Sequence, residues 1–327
     1  MRPLKMAVVG CGALGSYYGA CLARSGQDMH FLLRSDYETV RRHGVRVLTG
    51  TESFTVHPKA ALDPAEIGVC DVVWIGLKTT ANREFARLLP PLVGPTTAVV
   101  TWQNGLGNEE ALASLFGPER IYGGLCFVCL NRLEPGVIHH LAHGRIVLGA
   151  FQGADPGRLE ALGGYLRAAG IPCDLSPNLE RAHWEKLVWN IPFNGLGVAA
   201  VAGREALRSG AVMEGQAWES CRTTDQLLGD PFWREWVVAL MDETLAAARA
   251  QGLALADSVA RDQLVRTEEM GAYKASTLID FERGQPLELE SLFEEPCRRA
   301  LAAGLAVPRL QSLVKVLRDL DGRRSAS

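Results

Sequence analysis

Met6-Ala-Val-Val-Gly10-Cys11-Gly12-Ala13-Leu14-Gly15-Ser-Tyr-Tyr-Gly19, continuing through Ala20-Cys-Leu-Ala-Arg24-Ser-Gly26 to Met29-His-Phe-Leu-Leu33-Arg34, is the stretch that decides the fold. An apolar run of strand length leads directly into a Gly-x-Gly-x-x-Gly turn. A helix-like segment follows, stops at Gly26, and gives way to a second apolar run. That order is a βαβ unit with a dinucleotide fingerprint in its first turn. Gly10 permits the tight turn out of the strand. Gly12 lets a pyrophosphate approach the backbone, and Gly15 lets the helix pack close to the sheet. The helix start then offers N–H groups and partial positive charge to phosphates. The residues Gly10 to Gly15, Cys11, Ala13 and Leu14 included, are therefore expected to line a cofactor.

The end of the second run bears on which cofactor. An acid about 20 residues past the glycines binds a ribose 2′-hydroxyl, whereas an Arg there accommodates a 2′-phosphate. Here Phe31-Leu32-Leu33 runs into Arg34 and Ser35, and the first acid is Asp36. Arg34 favours NADP(H). The competing reading makes Arg34 a solvated loop residue and gives the ribose to Asp36.

Working outward, 327 residues suffice for two domains. At 47% hydrophobic, 22% charged and net charge −3, without a basic tail, the chain has no electrostatic case for binding nucleic acid or an anionic membrane. No stretch has the length and apolarity of a transmembrane helix. Met1-Arg-Pro-Leu-Lys5 leads straight into a strand, which is unlike a signal peptide. The eight cysteines are scattered through apolar context, as reduced thiols in a cytoplasm would be. Cys126-Phe-Val-Cys129 has neither a second pair nor a Cys/His cluster beside it, so no metal is expected.

In chain order, Tyr37–His43 reads as a helix, and Val45–Leu48 and Ser53–Val56 as strands flanking a Gly50-Thr51 turn. Residues 71–75 form a strand that runs into Gly76-Leu77-Lys78. Residues 81–89 have helical spacing and stop at Pro90-Pro91. Residues 98–101 form a strand ending in Trp102-Gln103-Asn104-Gly105, and Asn108–Phe116 is helical. Lys78 and Asn104 thus share the carboxyl-end edge of the sheet with the glycine turn, where open parallel sheets bind ligands. Each taken alone reads as an exposed lysine and a turn asparagine. Residues 121–131, 137–141 and 145–149 read as antiparallel strands, 157–169 as a helix, and 171–175 as a last strand. The expected division is a nucleotide-binding domain over 1–177 and a helical substrate and catalytic domain over 178–327. The fold class is an α/β Rossmann-like N-terminal domain plus an all-α C-terminal domain.

In the helical half, His183-Trp184-Glu185-Lys186-Leu187-Val188-Trp189-Asn190-Ile191-Pro192-Phe193-Asn194-Gly195 places Lys186, Asn190 and Asn194 at i, i+4 and i+8. On a helix they form one polar stripe among apolar residues. Burying it without partners would be costly, so a cleft holding a small polar ligand is one account. A wet stripe on an ordinary amphipathic helix is the other. Pro192 is expected to kink or loosen the helix.

These stretches together resemble the ketopantoate reductases (2-dehydropantoate 2-reductases) over nearly the whole chain. Gly10-Cys-Gly12-Ala-Leu-Gly15 with Arg34 is similar to that family's NADPH site. Lys78 in Leu77-Lys78-Thr79 and Asn104 in Gln103-Asn104-Gly105 match its edge motifs. Trp184-Glu185-Lys186-Leu187 with Asn190 and Asn194 resembles its catalytic helix. Ser276-Thr-Leu-Ile-Asp280, Leu287-Glu288-Leu-Glu290 and Ala303-Gly304-Leu-Ala-Val-Pro308 match its C-terminal signature. The resemblance implies an active site between the two domains. Lys186 would be the general acid, protonating the oxygen of a 2-oxo acid as NADPH reduces its C2 carbonyl. Asn190, Asn194, Ser276 and Glu288 would orient the substrate, Lys78 would bind cofactor, and Asn104 would sit beside nicotinamide and substrate.

Two departures stand out. Phe293-Glu294-Glu295-Pro296 replaces a region where the family usually has an Asn-Gly pair, and Glu290 stands where Asp is usual. The connector 203–229 is longer than usual. Ketopantoate is the leading substrate. A different 2-oxo acid, or a non-catalytic NADP-binding regulator, are the alternatives. A homodimer through the helical half is compatible with the pattern, although no periodic seam marks an interface.

Overall fold

The computed structural model describes residues 3–50, 52–215 and 217–325. The chain divides into two compact units, Met1–Leu179 and Glu180–Ser327. Leu179 belongs with the first because its side chain covers two sheet glycines. A Cβ at Gly123 or Gly149 would lie within 2.9 Å of it.

The described part of the first unit is built on ten strands: β1 Lys5–Val9, β2 Asp28–Leu32, β3 Val45–Leu48, β4 Ser53–Val56, β5 Lys59–Ala61, β6 Cys70–Ile75, β7 Val93–Thr101, β8 Ile121–Glu134, β9 Val137–Ala150 and β10 Cys173–Ser176. Their order is β4-β3-β9-β8-β7-β6-β1-β2-β5, with β10 on β9. The pairs from β8 through β7, β6, β1 and β2 to β5 are parallel, while β8–β9 and β3–β4 are antiparallel. Both faces of the central strands are buried, as parallel sheets require. Met6, Val8, Phe31, Trp74 and Val100 pack on one face, and Ala7, Val9, Val73, Ile75 and Val99 on the other. From β1 the chain crosses to β2 and later returns to β6 on the opposite side of β1. That reversal opens a crevice at the carboxyl ends of β1 and β6.

The expected helix Tyr37–His43 and strands β3 and β4 form with the bounds read from the sequence. Of the turn between those strands, Thr51 lies outside the described residues. Two expectations need correction. Residues 81–89 do not form one α-helix: a 3-10 stretch Thr79–Glu84 precedes a single α-turn Phe85–Leu88. Tertiary anchors override the helical spacing there, because Phe85 and Leu89 are buried and the Asn82 side chain is drawn into hydrogen bonds. Residues 137–141 and 145–149 are one strand, β9. Between them His143 and Gly144 take positive φ (64° and 127°), and register shifts against β8 absorb the irregularity.

The regular elements of the second unit are all helices among its described residues. Its axis is the helix Leu179–Ala199, on which Trp184, Leu187, Val188, Ile191, Phe193 and Leu196 are all buried. From Leu187 to Ala199 every residue but Trp189 is buried, so this part of the helix lies inside the core and takes the Asn190 and Asn194 amides in with it. Ser276–Glu282 meets it through Ser276 and Asn194, Glu295–Ala302 through Arg299 and Glu180, and Pro308–Ser325 through Leu313 at Gly195, while Pro231–Ala250 packs on the last two of these. Gly195 permits one close approach, since a Cβ there would meet Leu313 at 2.6 Å and Phe293 at 2.9 Å. The helix continues through Pro192, which withholds an N–H from the preceding turn. Among the described residues no helix is long and apolar enough to cross a membrane.

The departures from the family pattern have structural partners. Residues Glu290–Glu294 form a π-helical turn that passes into Glu295–Ala302, with Pro296 in its first turn. Glu294 pairs with Arg318, and Glu295 with Arg298 and Arg299. Phe293 is buried. The connector 203–229 is tied down by Glu219 N donating to Val201 O at 2.9 Å and Arg222 N to Gly197 O at 3.0 Å.

Candidate active site

The glycine turn is packed as its residue types demand. Gly10 has φ +99°, and a Cβ there would fall 2.2 Å from Leu77 N. A Cβ at Gly15 would fall 2.2 Å from Gly10 O. At Gly12, by contrast, a Cβ would meet nothing within 4 Å. The bare side of the turn therefore faces open space. Gly12 begins the helix Ala13–Arg24 without a side-chain cap, and the first turn carries no acid. Exposed backbone, N–H groups and an uncancelled helix dipole suit a pyrophosphate. The Cys11 thiol donates to Val8 O at 3.5 Å, and burial pushes its pKa well up, with the Asp36 carboxylate adding to the effect.

Arg34 and Asp36 have different fates at the end of β2. Arg34 is exposed. Asp36 is only 7% exposed and accepts from Arg132 on β8, with Nε at 3.0 Å from Oδ2 and a second bond from Nη2 to Oδ1. Ser35 Oγ also donates to Oδ1, at 2.9 Å. A carboxylate engaged this way has little capacity left for ribose hydroxyls. The geometry thus favours Arg34 and a 2′-phosphate over the Asp36 reading.

At the ends of β6 and β7 lie Lys78, exposed, and Asn104, half-buried. Side chains behind Asn104 form a directional chain. Thr101 Oγ1 donates to Gln103 Oε1 at 2.9 Å, and Gln103 Nε2 to Asn82 Oδ1 at 2.7 Å. Asn82 Nδ2 donates to Asn108 Oδ1 at 2.8 Å, and Asn108 Nδ2 to Asn104 O at 3.0 Å. With Gly105 and Gly107 at φ +87° and +89°, this chain fixes the path of the loop that presents Asn104.

In the second unit, Asn190 and Asn194 are 6% and 2% exposed, so the two amides of the polar stripe are buried and not wet. Asn194 Nδ2 donates to Asn190 Oδ1 at 3.4 Å. Asn194 Oδ1 accepts from Ser276 Oγ at 3.2 Å and from Thr277 N at 3.0 Å. The helix Leu179–Ala199 and the start of Ser276–Glu282 are thereby joined through one amide. Lys186 is half-buried one turn before Asn190. Glu288 is 6% exposed on a separate segment, just before the π-helical turn.

The sequence reading missed three participants. Gly76 is pressed against the turn, since a Cβ there would lie 2.9 Å from Gly10 O. Its place directly before Leu77-Lys78, at a strand end, was the available signal. Asn82 and Arg132 carried no signal, because their partners are 21 to 96 residues away.

A glycine-turn α/β unit with an exposed arginine at the end of its second strand, joined to a helical unit in which two buried asparagines lie between a half-buried lysine and an exposed serine, is the make-up of a nicotinamide-dinucleotide oxidoreductase. Comparison with known proteins specifies it further. The family model of ketopantoate reductase PanE/ApbA matches residues 6–153, and its C-terminal model matches 216–321. The chain is 38% identical to a 2-dehydropantoate 2-reductase of Nostoc sp., over 99% of this chain and 97% of that one. The solved structure of 2-dehydropantoate 2-reductase from Geobacter metallireducens is 46% identical with a TM-score of 0.87, covering 96% of this chain and 99% of that chain. That from Methylococcus capsulatus is 32% identical with a TM-score of 0.86, covering 99% of both. The chain belongs to the ketopantoate reductase family.

Proposed function

We propose that this chain reduces 2-dehydropantoate (ketopantoate) to pantoate with NADPH, a step of pantothenate synthesis. The observation that carries the proposal is the pair of buried amides Asn190 and Asn194, hydrogen-bonded to each other and, through Asn194, to the hydroxyl of the exposed Ser276, one helical turn from Lys186. Bound NADPH would supply the hydride for the C2 carbonyl. The turn Gly10 to Gly15, with Cys11, Ala13 and Leu14, holds the pyrophosphate on backbone N–H groups. Arg34 takes the 2′-phosphate, and Lys78 adds a cation at the same sheet edge. Lys186 donates a proton from Nζ to the carbonyl oxygen, and its charge stabilises the oxyanion as it develops. Asn104, Asn190, Asn194 and Ser276 supply neutral hydrogen bonds that orient the carboxylate and oxygens of the substrate. Glu288 accepts from the substrate's hydroxyl.

The ion pairs of Glu294 and Glu295 with arginines of their own unit support this reading over a different oxo acid. A cytoplasmic setting is part of the proposal, supported by eight cysteines that are all thiols. A homodimer is a further part, and sedimentation of the purified chain reads it. The test of the reaction follows NADPH absorbance with ketopantoate, beside a panel of other 2-oxo acids and an NADH control. Fast turnover of ketopantoate with NADPH is expected. Faster turnover of another oxo acid would overturn the substrate assignment. NADPH binding without any turnover would favour a regulator.

A further inference from the structure

Asp36 presents a difficulty for an NADP site. It follows Arg34 by two residues, at the position from which an acid binds the ribose of NAD. An ionised carboxylate there would repel a 2′-phosphate and offer two acceptor oxygens to ribose hydroxyls. Its charge also reaches the glycine turn, since it acts on the Cys11 thiol. Yet both oxygens are turned onto the Arg132 guanidinium, from a strand 96 residues further along the chain.

We propose that Arg132 is a specificity-determining residue for the cofactor: by holding Asp36 in a bidentate pair it keeps the ribose subsite selective for a 2′-phosphate over a 2′-hydroxyl. The inference deepens the reading of the glycine turn as an NADP(H) site and rests on it. The guanidinium acts in two ways. It cancels the carboxylate's charge beside the subsite, and it occupies the oxygens that ribose hydroxyls would use. Arg34, exposed on the same turn, is then the charge a phosphate meets. Selectivity becomes a difference between an attraction at Arg34 and a repulsion removed at Asp36. Ser35 Oγ completes the carboxylate's partners and holds it towards Arg132.

The test measures dissociation constants of NADPH and NADH for the full chain by nicotinamide fluorescence, with no oxo acid present. In Arg132→Met the preference for NADPH falls by about tenfold or more, equivalent to ~1.4 kcal/mol. In Asp36→Asn it equals or exceeds that of wild type, because the carboxylate is gone and the Arg132 charge is left uncancelled near the subsite. Arg132→Met combined with Asp36→Asn recovers most of the preference lost in Arg132→Met alone. Arg132→Lys, which keeps the charge but not the fork, falls between wild type and Arg132→Met and reads the same claim should the methionine variant not fold. An unchanged preference in Arg132→Met, or a double variant as unselective as Arg132→Met, overturns the inference while leaving the NADP(H) reading intact. A wild-type chain that binds neither cofactor, or prefers NADH, overturns the NADP(H) reading and this inference with it.

Discussion

Lys186 stands one helical turn before Asn190 and two before Asn194, so Lys186→Ala deletes an ammonium from the face that carries both amides. A general acid contributes about 10²- to 10⁴-fold, so kcat is expected to fall by that order. The dissociation constant of NADPH should not change, because the glycine turn belongs to the other compact unit. Steady-state kinetics beside fluorescence titration separates the two, and a variant that loses cofactor affinity instead would move Lys186 out of the acid's role. Cys11 supports a second expectation at this scale. Burial disfavours its thiolate, and an alkylating reagent attacks the thiolate. At about pH 8, peptide mapping of the native protein after iodoacetamide treatment should find Cys11 unmodified. Rapid labelling would mean that the turn opens in solution. Which residues the sequence could disclose follows from how each one acts. Gly10, Gly12 and Gly15 work through missing side chains at fixed spacing, and Lys186, Asn190 and Asn194 through helical spacing, so both sets can be read locally. Ser276 acts through Asn194 from 82 residues away, and only the family resemblance marked it. Arg132 had neither spacing nor motif.

After β7, the loop carrying Asn104 gets its shape from the amides behind it more than from its own residues. Asn82 is the middle of that chain, accepting from Gln103 and donating to Asn108. Asn82→Ala leaves a buried donor and a buried acceptor without these partners. Each such group costs about 1–3 kcal/mol, so a stability loss on the order of 2–4 kcal/mol is expected by thermal or urea unfolding. Asn108, whose Nδ2 donates to the Asn104 carbonyl, also loses the bond that orients its amide, so kcat/KM should fall while the fold persists. Unchanged unfolding would show that water replaces the amide at no cost. The same region shows why its local structure could not be read ahead. Residues 81–89 have helical spacing, but Asn82, Phe85 and Leu89 each answer to a tertiary partner, and the segment tightens to 3-10 geometry over Thr79–Glu84. The β9 strand escaped for a related reason. His143 and Gly144 look like a break in a strand, and pairing with β8 carries the strand through them. The π-helical turn Glu290–Glu294 inserts within a helical run, where periodicity alone gives no warning.

At the scale of the whole chain, the proposed division of labour assigns cofactor binding to the first unit and proton donation to the second. Everything the cofactor reading uses lies before Leu179: the glycine turn, Arg34, the Asp36–Arg132 pair, Lys78 and the amide chain behind Asn104. That unit also has apolar clusters on both faces of its sheet, drawn from its own strands and helices. A core confined to one stretch of chain is the condition for independent folding. A fragment of residues 1–179 is therefore expected to fold, as read by circular dichroism and a cooperative melt. It should bind NADPH within about tenfold of the full chain, a difference of ~1.4 kcal/mol. It should show no turnover of ketopantoate, because Lys186, Asn190, Asn194, Ser276 and Glu288 are all absent from it. A folded fragment that does not bind NADPH would mean that the second unit contributes to the cofactor site, and the division would have to be redrawn. A folded fragment that turns over ketopantoate would remove Lys186 from the chemistry altogether. Binding without turnover would locate selectivity for the cofactor in the sheet and commitment to the substrate in the helices. Changes at Arg132 and at Lys186 should then multiply independently in the intact chain, since one acts on the choice of cofactor and the other on proton donation.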